Sequence, residues 1–278
     1  MLAGFEKSFK IPERTPSGYN FGETPIKITY EESRVAVYGV PLDITTSFGT
    51  GTSKGPEAIR TTSALQIETF LLDKGYDIHD KVKIFDLGDL KISNKINTSK
   101  NKKERNDLIL DYLDRTIPEI NLSLINKNKI PLVLGGEHTL SYFSIQAFSK
   151  KKPIIIHFDA HRDMKPQYNG QEICHTTPFY HLINKKFIEG KDLIQIGIRQ
   201  TDKEENDIAK TNNVKTFDAW QVHYKLKELK NYLNKMTKNR NIYISFDIDV
   251  YDISYVPCTG TPEPFGLTPF QIYEIIDS

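Results

Sequence analysis

Three short stretches bring together residue types able to hold a cation. PLVLGGEHTL places Gly135, Gly136 and His138 after an apolar run. IIIHFDAHRD supplies Asp159, His161 and Asp163, and IYISFDIDVYD supplies Asp247, Asp249 and Asp252. In extended chain, residues two apart point to one face, so Asp159, His161 and Asp163 can project together, as can Asp247 and Asp249. Several carboxylates sharing a crevice repel one another unless something positive lies between them. A divalent cation meets that need. Imidazole and carboxylate donors without thiolate favour Mn²⁺ or a similar ion over a structural zinc site. Six such side chains exceed what one ion with open positions takes, which points to two ions bridged by carboxylates.

Something must hold these stretches side by side. Apolar runs at Val35 to Val40, Val82 to Leu87, Ile130 to Leu134, Ile154 to Phe158, Leu193 to Ile198, Val214 to Phe217 and Ile242 to Phe246 read as buried parallel strands. Helix-like segments at Pro56 to Leu72, Arg105 to Ile125, Leu140 to Phe148 and Val222 to Met236 alternate with them, with Gly75 closing the first. This is the pattern of an α/β fold, whose ligands bind at the carboxyl ends of strands. Ser93 to Arg105, with SKNKKER near its end, reads as a solvated loop. His157 reads as a satisfied core histidine, and His79, His181 and His223 stand without companions.

Composition narrows the function further. Lys and Arg number 37 against 36 Asp and Glu, which leaves no field to attract nucleic acid. The opening MLAGFEKSFK lacks an apolar leader core, and no apolar run reaches membrane-spanning length. Only Cys174 and Cys258 occur, in a chain long enough to need no disulfides, which suits a reducing interior. The expectation is a soluble cytoplasmic protein with no nucleic-acid or membrane partner.

The motifs GGEHTL, FDAHRD and SFDIDVYDISYVPCTGTPEPFGL, with the earlier SFGTGTSKGPEAIR, resemble the ureohydrolase family of arginases and agmatinases, from about Val35 to the last residue. The resemblance implies one ureohydrolase domain over residues 1–278, folded as a three-layer α/β/α sandwich around a central parallel sheet. It implies two Mn²⁺ per subunit: one on His138, Asp159, Asp163 and Asp247, the other on Asp159, His161, Asp247 and Asp249. It implies a homotrimer or homohexamer acting on a small guanidino substrate. A guanidinium is a poor electrophile, and two ions answer this by acidifying a bridging water. Asp163 can accept a proton or hydrogen bond from that solvent, and His175, in EICHTTPF, matches a catalytic loop histidine that transfers a proton to the departing amine.

The TGTPEP stretch, with Tyr168, Gly170 and His175, is more similar to agmatinases than to arginases, and Glu263 becomes a candidate contact for the substrate's cationic groups, alongside His175. The expectation is agmatine hydrolysis to putrescine and urea, a polyamine-forming step. The alternatives are a guanidinobutyrase, guanidinopropionase, arginase or formimidoylglutamase, or a non-catalytic metal-binding member. Family members usually carry proline where Ile253 stands, a small residue at Cys258 and paired glycines where Phe265 and Gly266 occur. The sequence also stops at Ser278, inside the helix expected from Thr268, without the usual C-terminal strand and helix and their guanidinium-contacting glutamate.

Overall fold

Runs that are apolar on consecutive positions form parallel strands in the computed structural model, which describes residues 18–22, 28–91 and 101–278; Ile154–Phe158 and Leu193–Ile198 are buried on both faces. The chain divides into two compact units, one running up to Ile44 and resuming over Gly51–Glu137, the other made of Thr45–Thr50 and His138–Ser278.

In the first unit, β1 (Val35–Val40) lies between β4 (Ile84–Asp89) and β5 (Ile130–Gly135), parallel to both. The helix expected over Pro56 to Leu72 ends early: α1 spans Gly55–Leu65, with Pro56 in its first turn, and a small antiparallel pair, β2 (Phe70–Leu71) and β3 (Tyr76–Asp77), follows. Gly75, at φ 73°, shapes the turn inside that pair instead of ending a helix. A one-turn helix, α2 (Ile78–Lys81), is capped by Asp77. The strand expected at Val82 to Leu87 runs two residues later, as β4. Residues 93–100 of the expected charged loop lie outside the described residues. Residues 102–105 belong instead to α3 (Lys102–Asn126), because Asn101 accepts the backbone N–H groups of Lys103 and Glu104 and so starts the helix within the charge run.

In the second unit, four parallel strands stand in the order β8 (Lys215–Asp218), β7 (Leu193–Ile198), β6 (Ile154–Phe158), β9 (Ile242–Phe246). The helices are α4 (Thr139–Gln146), α5 (Pro178–Asn184), α6 (Lys203–Thr211), α7 (Ala219–Thr237) and α8 (Pro269–Ile276). Ile154, Ile156 and Phe158 pack with Ile194, Ile196, Val222, Leu229 and Ile272 in one core. Each such side chain contributes about 1.5–3 kcal/mol by leaving water. Capping boxes at Asp218 with Gln221 and Thr268 with Gln271 fix where α7 and α8 begin.

The register of β6 and β9 sets up the site. His157 pairs with Ser245 and Phe158 with Phe246. The Asp247 N–H then donates to the Phe158 carbonyl at 2.8 Å, so Asp159 and Asp247 leave adjacent strands at the same level. On the other side of β6, Gly197 (φ 93°) lets β7 pass Val250, whose Cγ2 would lie 2.7 Å from an added Cβ.

Candidate metal centre

Beyond the ends of β6 and β9 the chain stops being extended and turns its carboxylates onto its own backbone. The His161 N–H donates to Asp159 Oδ1 at 2.6 Å, Ala160 N–H to Asp249 Oδ1 at 3.0 Å, and Asp249 N–H to Asp247 Oδ1 at 3.1 Å. Asp163 takes a left-handed conformation at φ 50°, strained for a residue with a side chain. His138 caps α4.

These turns gather all six candidate ligands in the second unit. His138 Nδ1 lies 2.7 Å from Asp163 Oδ2, 3.0 Å from Asp159 Oδ2 and 3.6 Å from Asp247 Oδ2. His161 Nδ1 lies 3.1 Å from Asp249 Oδ2 and 3.4 Å from Asp159 Oδ1. Asp159 thus offers one oxygen to each histidine and stands between two constellations. The ligand atoms of Asp159, His161 and Asp249 lie within 4.8 Å of one another.

The charges do not balance. Burial and then the neighbouring Asp159 charge push the Asp163 carboxyl up to about 7. Burial and then Asp249 raise Asp247 well above the carboxylate range, and burial and then Asp159 raise Asp249. Burial would also raise Asp159, but His157 beside it and hydrogen bonds from His138, His157 and His161 hold it well below the ordinary value. Burial opposes a charge on His161, yet bonds to Asp159 and Asp249 carry it to about 12. Without a cation, then, the cluster retains protons on acids and imidazoles.

Divalent ions fit this donor set. His138 Nδ1 is buried, faces three carboxylates and has no properly aligned hydrogen-bond partner. Its Nε2 meets Ser245 Oγ at 2.9 Å, which in turn meets Ser141 Oγ at 2.8 Å, leaving Nδ1 as the nitrogen presented to the cluster. His157 also borders the cluster, with Nε2 2.8 Å from Asp159 Oδ2. Gln195 Nε2 lies 3.2 Å from His157 Nδ1, an arrangement in which Nδ1 accepts and Nε2 keeps its proton for Asp159. Burial pushes His157 down to about 4, so it supports Asp159 as a neutral donor.

The other two candidates border this centre differently. Glu263 Oε1 is 3.6 Å from His161 Nε2, and its Oε2 accepts from Gln200 Nε2 at 2.9 Å. His175 Nδ1 lies 3.2 Å from Thr45 Oγ1 and its Nε2 3.2 Å from Ser47 Oγ, while the His175 N–H donates to Thr45 Oγ1 at 3.1 Å.

Residues 33–278 match the model of the Arginase family. The chain belongs to that family. The chain is 34% identical to an agmatinase of Bacillus cereus over 253 residues, 89% of this chain and 79% of the relative. It is 32% identical to an N(1)-aminopropylagmatine ureohydrolase of Thermus thermophilus over 93% of this chain and 81% of the relative. Among solved structures, the agmatine ureohydrolase of Thermoplasma volcanium superposes with a TM-score of 0.76 at 26% identity, over 90% of this chain and 78% of that one. The proclavaminate amidino hydrolase of Streptomyces clavuligerus gives 0.78 at 28%, over 93% and 82%. The arginase family is binuclear and metal-dependent, and its hydrolytic, agmatinase-like members make this chain an amidinohydrolase.

For an arginase-family chain, the deviations in the TGTPEP region acquire a structural meaning. Phe265 adopts φ 62° and is 69% exposed, a conformation that favours glycine. Gly266 admits no side chain, because an added Cβ would lie 2.4 Å from Asp252 N. Ile253 supplies an N–H that proline lacks, and it donates to the Glu263 carbonyl at 3.2 Å. Sequence reasoning missed Ser245, Thr45, Ser47, Gln195, Arg199 and Gln200. Ser245 was within reach, since it lies two residues before Asp247 on the same strand face. The others are assembled by tertiary contact. Among the described residues, no helix is long and apolar enough to cross a membrane.

Proposed function

We propose that this protein hydrolyses agmatine to putrescine and urea with two Mn²⁺ per subunit. The observation that carries the reading is the pair of buried constellations, His138 with Asp163 and His161 with Asp249, joined by the two oxygens of Asp159. His138, Asp159, Asp163 and Asp247 would hold one ion, and Asp159, His161, Asp247 and Asp249 the other. When bound, the ions supply charge neutralisation and a Lewis acidity that brings the pKa of water toward neutrality.

The chain's own residues do the remainder. The Asp163 carboxylate accepts a proton or hydrogen bond from the attacking solvent. His175 donates a proton to the departing amine nitrogen before the C–N bond breaks. Its hydrogen bonds to Thr45 and Ser47 restrict the ring to one orientation. Glu263, at the outer edge of His161, is placed to meet a cationic substrate group. The similarity to agmatinases favours agmatine. The same reading carries homo-oligomeric assembly and a role in polyamine formation.

The test is urea release from agmatine by purified protein with and without Mn²⁺, beside guanidinobutyrate, guanidinopropionate and arginine, with formamide release measured for formimidoylglutamate. Agmatine should give the highest kcat/KM. A folded, Mn²⁺-loaded sample that releases no urea from agmatine overturns the assignment.

A further inference from the structure

Arg199 leaves the end of β7 and spends its guanidinium almost wholly on backbone carbonyls of two distant loops. Nη2 donates to the carbonyls of Asp249 at 2.7 Å, Tyr251 at 3.1 Å and Glu263 at 3.0 Å. Nη1 reaches Gly197 and Val250 at 3.3 and 3.4 Å, and Nε donates to Pro264 at 2.8 Å. Main-chain carbonyls make a rigid cradle, and each of these hydrogen bonds from the guanidinium ends on one of them. Arg199 cross-links the turn that carries Asp249 to the loop that carries Glu263. Only a planar fork with five N–H groups can bridge so many acceptors at once.

The next residue completes the arrangement. Arg199 and Gln200 both donate their backbone N–H to the Ala160 carbonyl, between Asp159 and His161. Gln200 Nε2 holds Glu263 Oε2 at 2.9 Å, and the Ile253 N–H holds the Glu263 carbonyl. The Glu263 loop is therefore anchored at its carbonyl by two donors and at its carboxylate by a third.

We infer that Arg199 and Gln200 form a positioning clamp, in which Arg199 sets Asp249 for the ion shared with His161 and Gln200 sets the Glu263 carboxylate for the substrate. The inference rests on the two-ion amidinohydrolase reading and says how two parts of that site are kept in register. Neither residue touches the reacting atoms. Their effects pass through Asp249 and Glu263, and they differ: the arginine governs metal affinity and the glutamine governs substrate affinity.

The experiment uses calorimetric Mn²⁺ titration of the full chain, a thermal melt and a KM-against-kcat comparison with agmatine, for wild type, R199K and Q200L. In R199K, which keeps the charge and loses the fork, one of the two Mn²⁺ affinities falls roughly 10–100-fold while the other changes less than about twofold. Q200L keeps both ions and raises KM about tenfold, by more than it lowers kcat. If R199K retains both affinities, or weakens both equally, the arginine half is overturned. If KM is unchanged in Q200L, the glutamine half is overturned. Should R199K not fold, the same Mn²⁺ titration of R199Q decides the arginine half by the same criterion. Wild type that binds two Mn²⁺ and hydrolyses no guanidino compound overturns the functional reading and leaves the clamp to be judged by the titration. Wild type that binds none overturns both.

Discussion

Two buried charge clusters, one in each unit, obey opposite electrostatics. In the first unit, Arg60, 1% exposed, donates from Nε and Nη2 to Asp86 at 2.7 and 3.0 Å, from Nη1 to Asp89 at 2.5 Å, and from Nη2 to the Gly88 carbonyl at 3.1 Å. Burial alone would weaken its charge, but the bonds to Asp86 and Asp89 raise its pKa further. In the second unit, four aspartates face His138 and His161, three of the acids are pushed upward, and one buried imidazole nitrogen lacks an aligned partner. Both clusters are largely buried and rich in aspartate. The first is closed by its own arginine, whereas the second, without a cation, is balanced by protons held on its acids and imidazoles. Burial of charge alone therefore does not mark a candidate site; a buried acid cluster with no fixed cation of its own does.

Substitutions can break that contrast, and the largest effect belongs to the second cluster. Asp249→Asn should cost Mn²⁺ occupancy and abolish most turnover, whereas His175→Phe should keep its metal and lose about 10²–10⁴-fold in kcat. Metal analysis beside urea kinetics separates them, and equal metal loss in both contradicts the assigned roles. Arg60→Met should cost about 3–5 kcal/mol in denaturant unfolding, because it strands two carboxylates, and added Mn²⁺ should not restore it. Chelation should remove about 2.7 kcal/mol for each ion from protein held at 100 times the Mn²⁺ dissociation constant, read as a fall in the melting temperature.

Proton linkage sharpens the same point. With Asp163 displaced to about 7 and His161 to about 12, the metal-free cluster carries protons at neutral pH that a cation must displace. Mn²⁺ binding should release protons, and its affinity should rise between pH 6 and 8. Titrations in buffers of different ionisation enthalpy measure the release, and binding with no proton release would mean the cluster is already deprotonated. Smallest of all, Phe265→Gly should stabilise the fold by about 1 kcal/mol, since φ 62° costs a side chain strain and this ring is largely exposed.

The candidate ligand residues were legible because their signal is local. Period-two spacing puts Asp159, His161 and Asp163 in one comb, and Asp247 and Asp249 in another, whatever else the chain does. The strand cores were legible for a related reason, because a buried parallel strand must be apolar on both faces, as Ile154–Phe158 and Leu193–Ile198 are. Boundaries were less so. The segment after Leu65 kept helix-compatible residues while the structure made a hairpin, and Asn101 began a helix where charge alone suggested a loop.

Composition and spacing thus determined an α/β chain bearing acid and imidazole combs at strand ends, since those patterns depend only on neighbours within a few residues. Tertiary structure alone decided that Thr45 would hold His175 across 130 positions, that Ser245 would turn His138 Nδ1 toward the acids across 107, and that Arg199 would join two loops 50 and 64 residues away. The physical reason is that hydrogen-bond geometry requires groups to meet within about 3 Å, and no periodicity along the chain encodes which distant residues the packed core will bring that close.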